Sequence, residues 1–167
     1  DSQINIIDDN VEFYDALREN HYSIKNEYDS VFMVTHIFGT HQPYTTSAEG
    51  TYVEEATASE TVCGLFQIMR SALDDLKQLG VYDSADIIIM SDHGSWYGGD
   101  TQPVFMVKRS GEHKDTMEKN DAPIAYEDFQ ATILELFGLD SEDFGTSIFD
   151  WNEGDPRERT VYMRAND

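Results

Sequence analysis

The chain has 167 residues, of which 40% are hydrophobic and 12% aromatic, and its formal net charge is -22 at pH 7. This length and composition suffice for a compact domain with a core and argue against a disordered chain. The excess of carboxylates repels phosphate backbones and anionic headgroups, which argues against nucleic-acid partners and polybasic membrane attachment.

The single cysteine, Cys63, excludes an internal disulfide framework and a cysteine-based zinc cluster. It stands beside Leu65 and Phe66 in a helical pattern, which predicts a buried packing thiol. Apolar runs reach about six residues, whereas roughly 20 are needed to span a bilayer. No signal peptide opens the chain, and the polar stretch from Asp1 to Asn5 is assigned no element. We therefore expect this chain to be soluble.

The first predicted elements are a short helix and a strand. The helix carries Val11, Tyr14, Leu17 and Arg18, and the residues 8–10 offer N-cap oxygens. The strand covers residues 30–36 and is apolar on both faces, as is typical of a strand buried in a parallel sheet. A loop with Gly39 and Pro43 follows and continues to Gly50.

The clearest helix covers residues 57–79 and ends at Gly80. Its apolar residues recur at three- and four-residue steps, which predicts a buried stripe of Val62, Leu65, Phe66, Met69, Leu73, Leu76 and Leu79. The residues between them are predicted to face water; they are Glu60, Arg70, Asp74, Asp75 and Lys77.

Two short apolar strands follow, over residues 86–90 and 104–107. The charged stretch 110–121 predicts a solvated loop, residues 123–137 a helix that Gly138 ends, and residues 160–164 an edge strand. A strand, a long helix and a further strand make a βαβ pattern. We therefore predict an α/β fold with a largely parallel sheet and treat residues 1–167 as one domain.

Chemically active side chains cluster in two loops, residues 35–44 and 91–94, each at the end of a predicted strand. Ligands bind at the carboxyl ends of strands in open α/β sheets, so we expect the loops to meet. Asp92 and His93 supply a carboxylate and an imidazole, which suit zinc or manganese better than magnesium or calcium. Gly94 lets the chain leave the strand so that both can face one ion. Two ligands are too few for a complete site.

Structural interpretations of the same residues stay open. Asp92-His93-Gly94 is also the pattern of a tight turn in which the aspartate caps the next segment. His41 could be a loop histidine that is hydrogen-bonded to the backbone, and His36 is expected to be satisfied inside the fold. His21 and His113 lie among charges and carry no signal.

Four motifs together resemble the alkaline phosphatase and sulfatase superfamily. Residues 88–94 (IIMSDHG) resemble its metal-binding strand and loop. Residues 39–44 (GTHQPY) resemble a substrate-side loop with a histidine in its lipoteichoic acid synthase and phosphoglycerol transferase branch. Residues 122–138 and 145–149 resemble the later helix and the segment after it. The resemblance implies a three-layer αβα sandwich of which this chain is the carboxyl-terminal half.

The resemblance also implies roles for individual residues. Asp92 and His93 would be metal ligands, with manganese as the first expectation and zinc, magnesium or calcium as the alternatives. His41 would be the catalytic residue that binds the phosphate or sulfate group or protonates the leaving oxygen. Thr40 and Trp96 would contribute to substrate binding. The family's nucleophile and a further acidic ligand belong to the upstream half, so this chain holds no nucleophile.

The function implied is that of a phosphoglycerol-transferase-like enzyme fragment, inactive without its upstream half. Its substrate would be a lipid- or glycan-linked phosphate or sulfate ester, and the parent enzyme would act at the extracytoplasmic face of the cell membrane. A sulfatase fragment, which would hydrolyse sulfate esters, is the alternative within enzymes. A non-catalytic acidic binding module is the alternative from another class.

Overall fold

A computed structural model describes residues 2–7, 9–25, 29–94 and 102–158 of the chain. The chain forms two compact units, Asp1–His113 and Lys114–Asp167. The predicted edge strand at 160–164 lies outside the described residues. Within the described ranges, no helix combines the length and the apolar character that crossing a bilayer requires. The assignment of all 167 residues to one domain stays a prediction.

In the described part of the first unit there are four strands and two helices. In chain order they are β1 (Ser2–Ile7), α1 (Asn10–Asn20), β2 (Phe32–Ile37), α2 (Ala58–Gln78), β3 (Ile87–Met90) and β4 (Phe105–Lys108). Strands β1 and β2 pair in parallel, and β3 and β4 pair antiparallel. An antiparallel edge strand is common in otherwise parallel sheets, so the three-layer sandwich stays a prediction.

Strand β1 was not predicted, although the sequence carries a signal for it. Residues 3–7 read Gln-Ile-Asn-Ile-Ile, in which polar and apolar residues alternate at first. Its pairing with β2 runs in register from Ser2 opposite Phe32 to Ile7 opposite Ile37. Residues 2–7 are therefore part of a sheet, which the sequence analysis did not predict.

Helix α1 begins where the capping residues predicted it. The side chain of Asp9 accepts hydrogen bonds from the backbone N–H groups of Val11 and Glu12, at 2.8 and 2.9 Å. This occupies two of the donors that the first helical turn leaves without an intrahelical partner. The helix ends at His21, whose backbone N–H donates to Leu17 O and whose φ is 50°.

Helix α2 has both predicted ends but buries a different face. Thr57 and Glu60 form a reciprocal capping box, and Gly80 follows the helix with a φ of 72°. The buried positions are Thr61, Gly64, Ile68 and Asp75. The predicted stripe is only partly covered, with Val62 39% and Phe66 49% exposed.

The loop after β2 explains this rotation of the buried face. It passes so close to α2 that a β-carbon on Gly64 would lie 2.2 Å from Ser47 O. Small residues on the helix accept that backbone, whereas the bulkier apolar stripe cannot. Two further predictions on α2 were wrong: Cys63 is exposed, and Asp75 is buried where it accepts hydrogen bonds from the end of α1.

Strand β2 is not buried as its sequence predicted. Its side chains Phe32, Met33 and Val34 are 37–41% exposed, and Val31, which precedes the strand, is 65% exposed. His36, which was expected to be satisfied inside the fold, is also exposed. The physical reason is that α2 packs on α1 and on the loop after β2, so these side chains keep contact with solvent.

The second unit is built around α3 (Phe129–Leu136), preceded by a 3-10 turn at Tyr126–Asp128. The helix predicted from residue 123 thus starts later, because Ala125 is extended and its N–H donates to the carboxylate of Asp128. Gly138, with a φ of 66°, ends it as predicted. Further 3-10 turns lie at Glu142–Phe144 and Ile148–Asp150, and the stretch 110–121 is largely exposed and forms no helix or strand.

Candidate functional site

The loop that leaves β2 is held at its start by Asn10, the first residue of α1. The Asn10 side chain accepts a hydrogen bond from Gly39 N–H and donates one to Gly39 O, both at 2.8 Å. Asn10 is 4% exposed. Gly39 has a φ of 78°, a conformation that glycine adopts at little cost. The turn out of the strand is therefore fixed by a buried amide.

The other end of the same loop is anchored to α1 and α2. Thr46 is 2% exposed, its hydroxyl accepts a hydrogen bond from the Asn10 amide at 3.2 Å, and its carbonyl accepts one from the Thr61 hydroxyl at 3.1 Å. Residues 39–46 will be called the histidine loop, since they carry His41. Both ends of the histidine loop are thus tied to helices.

His41 lies between two aromatic rings. Its ring centroid is 5.3 Å from that of Phe38 and 5.5 Å from that of His93, and the planes of the two imidazoles are 80° apart. His41 itself is exposed. An edge-to-face arrangement at this distance is a favourable geometry for ring systems. The structure therefore brings together the two loops at the ends of β2 and β3.

His93 is oriented by the backbone of the next residue. Its Nδ1 lies 2.7 Å from Gly94 O, and a carbonyl oxygen can only accept, so Nδ1 carries the proton. In the neutral ring Nε2 then has the lone pair. A backbone carbonyl that fixes the tautomer in this way is common behind metal-binding histidines.

Asp92 lies near the Nε2 side of the His93 ring. The distance from His93 Nε2 to Asp92 Oδ1 is 3.8 Å, and the side chains are 35% and 76% exposed. Two donors that ligate one ion at about 2.0–2.2 Å are separated by roughly 3–3.5 Å, so a small side-chain rotation would suffice. Asp92 and His93 thus fit as two ligands of a divalent cation.

The rest of a coordination sphere is not found in the part of the chain that the structure describes. Within residues 9–25, 29–94 and 102–158, no cluster of three or more histidine, cysteine, aspartate or glutamate side chains could hold a metal ion. The roles of Asp92 and His93 as ligands stay a prediction, as do manganese and its alternatives.

The remaining predicted residues are less informative. Thr40 lies next to His41 in the histidine loop and is partly exposed. Trp96 lies outside the described residues. Sequence reasoning missed the residues that support the histidine loop, namely Asn10, Thr46, Thr61 and Gly64. Asn10, Thr61 and Gly64 are small or polar residues on helices, which was the available signal, but pattern does not show what approaches them.

No protein-family model matches this chain, and no match was found among curated proteins or solved structures. The motif resemblance therefore stays a prediction, and functional inference depends on the geometry of the two loops.

Proposed function

We propose that the chain is the carboxyl-terminal part of a metal-dependent phosphoryl-transfer domain of the phosphoglycerol transferase type, with a three-layer αβα fold. Asp92 and His93 hold a divalent cation, manganese in the first instance, and His41 contacts the substrate. The substrate is a lipid- or glycan-linked phosphate ester, and the parent enzyme works at the extracytoplasmic face of the membrane. The nucleophile and a further acidic ligand come from the upstream half of the domain.

The observation that carries this proposal is the contact between His41 and His93. These residues are far apart in sequence, yet their ring centroids are 5.5 Å apart at the ends of two strands. A histidine with a backbone-fixed tautomer and an adjacent carboxylate is suited to hold a cation. A second histidine beside it is suited to contact an anion that the cation attracts.

The chemistry assigned to each residue follows from its donor atoms. A bound cation would neutralise phosphoryl oxygens and lower the pKa of an attacking hydroxyl. Asp92 and His93 would hold that ion through Oδ1 and Nε2. His41 would donate an imidazole N–H to a phosphoryl oxygen or to the leaving oxygen. Because His41 is exposed at the surface of this chain, it is accessible to a substrate.

Manganese titration followed by calorimetry or electron paramagnetic resonance tests the cation site. We expect weak binding by the chain and a loss of about tenfold or more in affinity for His93→Ala and for Asp92→Ala, since each removes a ligand. An affinity that is equal in these variants and in the unchanged chain would refute the proposed ligands.

The chain offers a matched control for this titration. His113 Nδ1 lies 3.8 Å from Asp83 Oδ1, the same separation as in the proposed pair, and both side chains are well exposed. His113→Ala should leave manganese affinity unchanged. A similar loss in His113→Ala would mean that scattered carboxylates of this acidic chain attract the ion unspecifically.

Turnover on a chromogenic phosphodiester tests the division of the site between two halves. We expect none from the chain alone, because a covalent step requires the upstream nucleophile. Turnover that disappears in His93→Ala would refute the upstream location of that nucleophile. If the complete domain binds neither manganese nor zinc, the non-catalytic acidic module is favoured instead. If the upstream nucleophile is of the formylglycine type, the enzyme is a sulfatase.

A further inference from the structure

The side chain of Asn10 brackets the segment that carries His41. Its one amide group binds Gly39 through two hydrogen bonds of 2.8 Å and Thr46 through one of 3.2 Å. Residues 39 and 46 are the two ends of the histidine loop, and His41 lies between them. A single buried side chain therefore defines both points between which the loop runs.

The donors and the acceptor of the Asn10 amide correspond to the three hydrogen bonds that it makes with Gly39 and Thr46. An asparagine side chain has two N–H donors and one carbonyl acceptor. Gly39 O and Thr46 Oγ1 face its nitrogen, and Gly39 N–H faces its oxygen. Leucine, which is of similar size, has neither kind of group, and the carboxylate of aspartate lacks the donors. Asn10 is 4% exposed, so water does not replace these contacts easily.

His41 depends on this support because it is not fixed by burial of its own. It is exposed, and its ring contacts Phe38 and His93 at centroid distances of 5.3 and 5.5 Å. The place of such a ring is set mainly by the backbone that carries it. If Gly39 and Thr46 moved, the imidazole of His41 would move away from that of His93.

We propose that Asn10 is a positioning residue of the proposed phosphoryl-transfer site: by holding Gly39 and Thr46 it keeps His41 beside the cation ligand His93. This rests on the proposed function for its catalytic meaning. The geometric part does not, because the contact between the two imidazoles can be measured without metal or substrate. A misplacement of about 1 Å in a catalytic group can reduce rates by as much as a hundredfold.

The first experiment measures the nuclear Overhauser effect between the ring protons of His41 and His93 in the chain. We expect the effect in the unchanged protein and its loss in Asn10→Ala, while the Nδ1-protonated tautomer of His93 is retained. Asn20→Ala is the matched control: it is the same substitution on the same helix, where Asn20 donates to Ala16 O at the exposed surface. That control should leave the effect unchanged.

Asn10→Asp decides the matter if Asn10→Ala does not fold. Aspartate has the same shape, is tolerated in the first turn of a helix, and still accepts from Gly39 N–H. It cannot donate to Gly39 O, so an oxygen would face an oxygen and the start of the loop should shift. Loss of the nuclear Overhauser effect between His41 and His93 in Asn10→Asp supports the proposal. Persistence of the effect in either folded variant, or its absence from the unchanged protein, overturns the proposal.

The second experiment separates this inference from the proposed function. Orthophosphate is titrated into the chain at saturating manganese, and phosphate affinity is expected to fall about tenfold or more in Asn10→Ala. Manganese affinity should not change, because Asp92 and His93 are untouched. Unchanged phosphate affinity in a folded Asn10→Ala would overturn the positioning role. The unchanged protein could instead bind no phosphate, while the nuclear Overhauser effect between His41 and His93 still disappears in Asn10→Ala. In that case Asn10 positions His41 as proposed, and the proposed function is refuted.

Discussion

Asp75 on α2 holds the end of α1 by accepting a hydrogen bond from His21. The distance from His21 Nδ1 to Asp75 Oδ1 is 2.9 Å, and the second carboxylate oxygen accepts from Tyr22 N–H at 3.0 Å. The Asp75 side chain is 6% exposed, whereas that of His21 is 62% exposed. Helix α1, which carries Asn10 at its other end, is thereby joined to α2.

Asp75→Ala is expected to destabilise the first unit by about 1–3 kcal/mol. The reason is that Tyr22 N–H loses its acceptor at a partly buried position. Unfolding in urea followed by circular dichroism measures the change. Asp74→Ala is the control, because that carboxylate is 44% exposed and pairs with Lys77 at the surface, and it should change stability by less than about 1 kcal/mol. Equal effects of the two substitutions would contradict the role of Asp75.

Gly64→Ala is expected to destabilise the chain although alanine is the better helix former. Alanine is favoured over glycine in a helix by about 1 kcal/mol. Here its β-carbon would lie 2.2 Å from Ser47 O and 2.9 Å from Thr46 Cγ2, and overpacking costs about 1–3 kcal/mol or more. The neighbouring Cys63→Ala should have little effect, since Cys63 is exposed. Thermal unfolding of both variants checks this, and a stabilised Gly64→Ala would show that the loop does not approach α2 so closely.

Arg157 and Asp128 form a nearly buried ion pair in the second unit, with side chains 8% and 4% exposed. Arg157 also donates to Pro123 O and lies over the Trp151 ring at 4.6 Å. The hydrogen bond that Arg157 donates to the Asp128 carboxylate raises the pKa of Arg157. Asp128→Ala leaves the guanidinium without its main partner.

We expect Asp128→Ala to cost about 2–3 kcal/mol in the unfolding free energy of this unit. This is below the roughly 3–5 kcal/mol typical of fully enclosed pairs, because the other end of Arg157 reaches an exposed carboxylate, Glu127. Glu127→Ala should change stability by less than about 1 kcal/mol. Urea unfolding compares the two, and a larger effect of Glu127→Ala would contradict this assignment.

The capping box of α2 predicts a pH dependence of stability. The backbone hydrogen bond from Thr57, together with that from its hydroxyl, lowers the pKa of Glu60 below its ordinary value of 4.5. A carboxyl group whose pKa is lower in the folded state stabilises that state above its unfolded pKa. This contribution is lost as the pH falls through the lowered pKa.

Comparison with Glu60→Gln isolates this contribution from the many other carboxylates. Glutamine cannot titrate, so the difference in unfolding free energy between the unchanged protein and Glu60→Gln should be constant above about pH 5.5. It should then decrease in acid. Urea unfolding at a series of pH values measures it, and a difference that does not vary with pH would mean that the capping box contributes no titrating group.

Local structure followed from local chemistry at several places. The capping residues Asp9 and Thr57 begin their helices, and Gly80 and Gly138 end theirs, in agreement with the sequence analysis. Each of these contacts involves residues within one helical turn. Their geometry is therefore available to any chain that carries the same short pattern.

Burial was predicted less well. The stripe with Val62 and Phe66 was expected to be the buried face of α2, and Asp75 was expected to face water. Periodicity shows that a helix has an apolar side, but the surface that covers a helix is chosen by elements distant in sequence. Here the backbone around Ser47 approaches Gly64, and the end of α1 supplies donors to Asp75.

The sequence alone determined where α1 and α2 begin, where α2 and α3 end, and most of the strand positions. It also gave the expectation that the loops after β2 and β3 come together, because these features depend on short patterns and on where strands stop. Only the tertiary structure decided which helix face is buried, that β3 and β4 run antiparallel, and that Asn10 holds both ends of the histidine loop. Those features arise from contacts between distant segments, whose directional hydrogen bonds and close approaches leave no periodic trace in the chain.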